Sequence, residues 1–271
     1  MTGPRFGDAA PAELEGVERA PRYVAAAPCV CAAWEAPILS APDPGAEQVD
    51  QLLHGEPFGR LGQREGWAYG QAGRDGYVGW VEEGALAPAS HLADRRVTAL
   101  RTYVFSRPHL KSTPLGQLSL NALLAAGEAQ DGFVAAAEGW VWAAHTAPVG
   151  AGFERDIAAV AERFLGAPYR WGGRDSLGLD CSGLVQQALY ACGRGCPRDT
   201  GDQRRLGRGV DRDAARRSDL VFWPGHVGVM LDHERLIHAN AHHMAVSVEP
   251  LGEADARITA ACGVGCEVRR T

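Results

Sequence analysis

The chain has 271 residues, 46% hydrophobic and 22% charged, with a net charge of −6. That composition suits a globular chain of one to three domains, and its acidic, interspersed charges exclude a general binder of nucleic acid or of an anionic membrane surface. Seven cysteines at this length are not a disulfide scaffold, and the odd count leaves at least one thiol free.

The first twenty residues, MTGPRFGDAAPAELEGVERA, carry acids and prolines where an export signal needs an apolar run. YVAAAPCVCAAW is apolar, but Pro28 and Val30 precede its two cysteines where a lipoprotein site wants a small residue. No segment nears the roughly 20 apolar residues of a membrane span. The expectation is a cytoplasmic chain with reduced thiols, opening on an N-terminal arm over residues 1–27.

Residues 28–90 then show short apolar runs between glycines and prolines: APILSAP, LLHGEPFGRLG, GWAYGQ and DGYVGWV. Strand-length runs with turn signals between them predict a small β-barrel. Over residues 91–149 the pattern returns in RTYVFSRP, LSLNALLAAG, DGFVAAA and EGWVWAA, with Gly79-Trp80 and Gly139-Trp140 at equivalent points of a two-copy repeat.

The composition changes at residue 150. FERDIAAVAERFLGAP places Ile157, Val160, Ala161, Phe164 and Leu165 on one helical stripe, stopped by Gly166 and Pro168. A second helix is predicted to start at Cys181, with Val185, Ala188, Leu189 and Cys192 as its buried stripe and Gly193 as its end. Strand signals follow in DLVFW, HVGVML, RLIHAN, MAVSV and VGCEVRR. Helices followed by antiparallel strands make residues 150–271 an α+β domain.

Cys181 is the candidate nucleophile. At the first turn of a helix, unpaired N–H groups and the positive dipole end favour a thiolate. Asp180 is a good N-cap, and Ser182 and Gly183 leave the sulfur accessible. A turn centred on Asp232 pairs His226 with His238 across a hairpin, so both imidazoles share one face while Val227, Val229, Ile237 and Ala239 line the other. A base oriented by a second polar ring is what an activated thiol requires.

YRWGGRDSLGLDCSGLVQQALYACG, PRDTGDQ, SDLVFWPGHVGVML and LIHA resemble the NlpC/P60 family of papain-like cysteine peptidases. The resemblance implies Cys181 as nucleophile, His226 as general base and His238 as the residue that orients it. It also implies oxyanion donors at the Cys181 N–H and Tyr169, with Trp171 shaping the cleft wall. Two departures stand out: Asp219 replaces a glycine common before DLVFW, and Pro224-Gly225 brings His226 close behind its strand.

GWAYGQ and DGYVGWV resemble bacterial SH3 domains, so the predicted fold is two small all-β SH3-like barrels followed by an α+β papain-like domain. That order is similar to cytoplasmic enzymes of murein peptide recycling, which cut between γ-D-glutamate and meso-diaminopimelate or lysine when the N-terminal L-alanine is free. The likeness implies that Asp180 and Ser182, with Glu56 and Tyr77 from the first barrel, hold the substrate ammonium, whose desolvation needs charged partners. No cofactor and no metal are expected, because Cys192, Cys196, Cys262 and Cys266 read as packing rather than a zinc site. His242-His243 reads as a solvent-facing loop. Alternative readings are an acyltransferase or amidase using the same thiol, and a non-catalytic wall-peptide binder.

Overall fold

The computed structural model describes residues 7, 9–12, 15–16, 19–90, 92–136, 139–150 and 152–271. The predicted arm lies only in part among them; there Ala9–Pro11 pairs in parallel with Arg22–Val24. His91 and Glu138, which open predicted segments, and Ala151, the second residue of the predicted C-terminal domain, lie outside the described residues. The chain forms two compact units, Met1–Val149 and Gly150–Thr271.

Among the described residues the N-terminal unit is built of β-strands, with short 3-10 turns at Glu83–Ala85 and Ala143–His145. Its first repeat is one sheet in the order Gln48–Leu53, Glu35–Leu39, Val78–Glu82, Trp67–Ala72, Pro57–Arg64, Ala27–Cys31 and Leu86–Pro88. The second repeat has a five-stranded sheet, Pro114–Ser119, Arg101–Phe105, Gly139–Trp142, Phe133–Ala136 and Ala129–Gln130, and a three-stranded one, Leu123–Leu124, Arg95–Val97 and Thr146–Pro148. The Gly-Trp dipeptides do the same work in each copy. Trp80 pairs with Leu39 and Trp140 with Phe105. A Cβ on the preceding glycine would lie 2.8 Å from the Leu39 carbonyl in one copy and 2.4 Å from that of Phe105 in the other. Only glycine admits so close a strand crossing. Ile38, Leu52, Phe58 and Val81 fill the first core, and Val104, Leu118, Val134 and Val141 the second. Leu53 and Trp34 of the first repeat pack into the core of the second, so the two predicted modules share packing.

The C-terminal unit begins with α1 (Ile157–Glu162), shorter than its sequence stripe. Phe164 is buried but Leu165 is exposed, because the chain turns after α1 and Gly166 adopts a left-handed conformation. Helix α2 (Cys181–Ala191) starts at the predicted residue, and all eleven of its residues are buried. It is therefore a central helix rather than a one-sided amphipathic one. A short helix, α3 (Thr200–Gln203), follows.

The sheet of this unit is antiparallel, in the order Arg208–Val210, Glu267–Arg270, Leu220–Trp223, His226–Met230, Arg235–Asn240 and Ala245–Pro250. Between its last two strands in the chain lies α4 (Leu251–Cys262), a helix absent from the sequence reading. Only Leu251 and Ala254 of α4 are fully buried, with Ile258 partly so, which leaves a weak apolar signal. Gly263, left-handed at φ 75°, ends it with its N–H on the Thr259 carbonyl. Helix α4 closes the core around Met230, Leu236, Val221 and Trp223.

The histidine hairpin differs in register from the sequence expectation. Val229 pairs with Ile237 and Met230 with Leu236, so Gly228 rather than His226 lies across from His238. The slip is two residues, and an even slip keeps every side chain on its face. His226 and His238 therefore still share a face. Both departures from the family pattern have structural reasons. Pro224 and Gly225, the latter at φ 74°, make a two-residue turn that pairs Trp223 with His226. Asp219 is buried and accepts two bonds from Arg270, Nε at 2.9 Å and Nη2 at 2.7 Å, tying the start of one strand to the last strand.

Candidate active site

Cys181 is the first residue of α2 because Asp180 caps the helix: its Oδ1 accepts the Gly183 N–H at 2.8 Å. The other oxygen, Oδ2, accepts the Gly172 N–H at 2.9 Å and so anchors the YRWGG loop. The thiol that results is not the thiolate expected of a helix start. Burial, then the Asp180 carboxylate, push its pKa up to about 12. The Val227 and Ser182 N–H groups and Arg198 pull the other way without prevailing. In this resting geometry desolvation outweighs the helix terminus. The thiol is neutral.

The Val227 N–H that reaches the thiol directly follows His226, so the strand start and the helix start meet at Cys181. His226 Nε2 lies 2.8 Å from His238 Nδ1, with the rings edge to face at 5.0 Å between centroids. Trp223 flanks His226 at 5.8 Å. Burial, followed by His238 and Arg257, lowers the pKa of His226 to about 3, while Glu249 and Asp180 raise it. His238 is fully buried and lowered to about 4 by that burial and by Arg257, His243 and His242. Both rings are neutral at pH 7. The arrangement can pass a proton from sulfur to imidazole during attack, rather than hold a charged pair beforehand.

Tyr169 is half-buried, and burial with the proximity of Cys181 and Asp180 keeps its hydroxyl protonated. Trp171, predicted to shape the cleft wall, is 58% exposed. The residues predicted to hold an ammonium have other partners. Arg198 donates to Asp180 Oδ1 at 3.0 Å, to Asp180 Oδ2, and to Ser182 Oγ at 2.5 Å. Glu56, in the N-terminal unit, is fully buried; it accepts Arg74 at 2.8 Å and the Leu53 N–H at 3.0 Å. Tyr77 packs against the core of the first repeat. Neither carboxylate is a bare charge. Each is neutralised by an arginine of its own unit.

PRDTGDQ carries no role that its residues reveal by themselves; the structure gives it one. Arg198 holds Asp180, the cap of α2, and Gln203 Nε2 donates to the Ser182 carbonyl at 3.0 Å and the Pro197 carbonyl at 2.9 Å. The motif is thereby stapled to the first turn of α2. Missed altogether were Glu249 and Arg257, which lie at the end of the last hairpin strand and on the unread helix. His243, read as solvent-facing, is 42% exposed at its side chain, and its N–H donates to Asn240 Oδ1 at 2.8 Å.

Residues 166–257 match the NlpC/P60 family, and residues 38–86 match the bacterial dipeptidyl-peptidase Sh3 domain. The gamma-D-glutamyl-L-lysine dipeptidyl-peptidase of Bacillus subtilis (strain 168) is 34% identical over 38% of this chain, and the match spans 37% of that protein's length. Dipeptidyl-peptidase 6 of Lysinibacillus sphaericus is 27% identical over 82% of this chain and 90% of its own. The crystal structure of an NlpC/P60 family protein from Bacillus cereus ATCC 10987 shares the fold with a TM-score of 0.77, at 20% identity over 90% of this chain and 99% of that one. The chain thus carries an NlpC/P60 cysteine peptidase domain over residues 166–257, with a bacterial SH3 domain ahead of it.

Proposed function

We propose that this protein is a cytoplasmic cysteine endopeptidase that hydrolyses the bond between γ-D-glutamate and the diamino acid, meso-diaminopimelate or lysine, of murein peptides. The observation that carries the reading is the His226–His238 contact at 2.8 Å beside a thiol at the start of α2. The names of the relatives, with a match to a dipeptidyl-peptidase SH3 model, support the substrate class.

His226 uses Nε2 toward His238, which leaves Nδ1 to take the thiol proton. As Cys181 Sγ attacks the γ-glutamyl carbonyl, its proton passes to His226 Nδ1. The oxyanion is held by the Cys181 N–H and the protonated Tyr169 hydroxyl. His226 then gives that proton to the leaving amine, and the thioester forms. Water, deprotonated by His226, completes hydrolysis and restores the thiol. Selectivity for a free N-terminal L-alanine is assigned by motif position to Asp180, Ser182, Glu56 and Tyr77.

The test is L-Ala-γ-D-Glu-meso-diaminopimelate and its lysine counterpart, each with and without an acetyl group on the alanine, followed by mass spectrometry. Release of L-Ala-γ-D-Glu from the free peptides alone is the expected result. Equal cleavage of the acetylated forms removes the four ammonium roles. No cleavage of any of them overturns the substrate assignment.

A further inference from the structure

His238 and Glu249 come from neighbouring strands of one hairpin. His238 pairs with Ser247 and Leu236 with Glu249, so His238 and Glu249 project from the same face, one step apart along the strands. Two polar atoms there lack hydrogen-bond partners among the described residues: Nε2 of His238 and Oε1 of Glu249, both buried. They face each other at 3.6 Å. A buried orphan donor or acceptor costs free energy, and here two complementary ones stop a few tenths of an ångström short of a bond. The other oxygen of Glu249, Oε2, accepts Arg257 Nη2 from α4. His243 Nδ1 lies 2.9 Å from Oε1 but is not aligned for a bond to it; its aligned partners are Asn240 Oδ1 at 3.1 Å and Ser247 Oγ at 3.3 Å.

Proton bookkeeping gives the contact a direction. For His226 to act as base, its Nδ1 must be bare, so its proton sits on Nε2 and is donated to His238 Nδ1. A neutral His238 that accepts on Nδ1 must then carry its own proton on Nε2, which points at Glu249. We propose that Glu249 is a fourth, positioning member of the catalytic relay, which runs Cys181, His226, His238, Glu249. The carboxylate fixes His238 in the Nε2–H tautomer and stabilises the charge that His226 acquires when it takes the thiol proton. This rests on the roles given above to Cys181 and His226.

Helix α4 also sets the strength of the relay. Arg257 shares the carboxylate of Glu249 and lowers the basicity of both imidazoles, whereas Glu249 raises that of His226. The remaining charged or titratable groups that face the relay are Asp180 and Arg198 at the helix start, Tyr169, and His242 and His243 in the turn before the last hairpin strand. Exchanging Glu249 and exchanging Arg257 should therefore act in opposite directions.

The test uses the full chain, with ¹⁵N-labelled histidine followed by NMR, and needs no substrate. In the wild type, His238 should show a protonated Nε2 and a bare Nδ1; a proton on Nδ1 overturns the proposal. In Glu249→Gln the His226 titration should move to lower pH, and in Arg257→Met to higher pH. No movement in Glu249→Gln, or movement of both variants in one direction, overturns it. If Glu249→Gln does not fold, the wild-type tautomer and Arg257→Met decide the matter. A chemical readout accompanies these: alkylation of Cys181 by iodoacetamide at pH 7, read on its peptide by mass spectrometry. It should slow about tenfold in Glu249→Gln, in the range seen when an outer partner of a working imidazole is lost. On a substrate that is cleaved, kcat should fall by a similar factor with KM unchanged, and Glu249→Asp should recover part of it. A loss of kcat without a change in tautomer or titration would reduce Glu249 to a structural role and sink the proposal. Should the murein peptides not be cleaved at all, the substrate reading fails while the NMR and alkylation results still judge the relay.

Discussion

Replacing Arg198 by methionine tests how the start of α2, and with it Cys181, is held. Arg198 and Asp180 are 3% and 7% exposed at their side chains, and the guanidinium meets both carboxylate oxygens. Removing one partner of a buried ion pair costs about 3–5 kcal/mol, because the other is left as an uncompensated charge. Asp180 would keep the Gly183 and Gly172 N–H groups and the Ser182 hydroxyl, at 2.8, 2.9 and 3.1 Å. Those three donors place the expected loss at the lower end, about 3 kcal/mol, which is a fall of about 10 °C in the melting temperature of a domain this size. Scanning calorimetry on the full chain, read on the transition of the C-terminal unit, measures it. A double-mutant cycle with Asp180→Asn isolates the pair: the double variant should be more stable than Arg198→Met alone. The lone carboxylate should also raise the Cys181 thiol further, since Asp180 raises it and Arg198 lowers it. A loss below about 1 kcal/mol, with no coupling in the cycle, would show that the pair behaves as an exposed one and refute the argument.

Other outcomes are expected from the same structure. Cys181→Ala should keep the melting temperature within a few degrees and abolish release of product, as followed by mass spectrometry. Residual turnover at the wild-type rate would remove Cys181 from the chemistry. His226 and His238 both titrate, when folded, below their ordinary value of 6.5. The unfolded chain therefore binds protons first on acidification, and the C-terminal unit loses stability as pH falls below about 6.5 towards their folded values. Its urea midpoint should be lower at pH 5 than at pH 7.5, and an unchanged midpoint would contradict their burial as neutral rings. In the N-terminal unit, Gly79→Ala would put a Cβ 2.8 Å from the Leu39 carbonyl and 2.5 Å from Ile38 Cγ2. A cost of about 1–3 kcal/mol is expected from such overpacking, and a neutral effect on urea unfolding would mean that the strand crossing yields.

The local features of the site were legible in the residues themselves. Asp180 followed by Cys181, Ser182 and Gly183 starts a helix by capping alone, and α2 begins there. The shared face of His226 and His238 survived a register misread by two residues, because side chains alternate with period two along a strand. The Gly-Trp repeat likewise marked equivalent strand crossings in both copies. Helix α4 escaped because only two of its residues are fully buried, which leaves little periodicity to read.

What only the tertiary structure decided is the electrostatics of the site. The helix start predicts a thiolate, yet burial of Cys181 and the adjacent Asp180 keep the thiol protonated. The partner of Asp180 is Arg198, 18 positions along the chain, and the carboxylate that faces His238 Nε2 at 3.6 Å is Glu249, on the next strand. Capping, turn chemistry and strand alternation are interactions between near neighbours, so the chain alone determines them. Desolvation and the pairing of distant charges depend on what packs over a group, and that exists only once the sheet and its helices have closed around it.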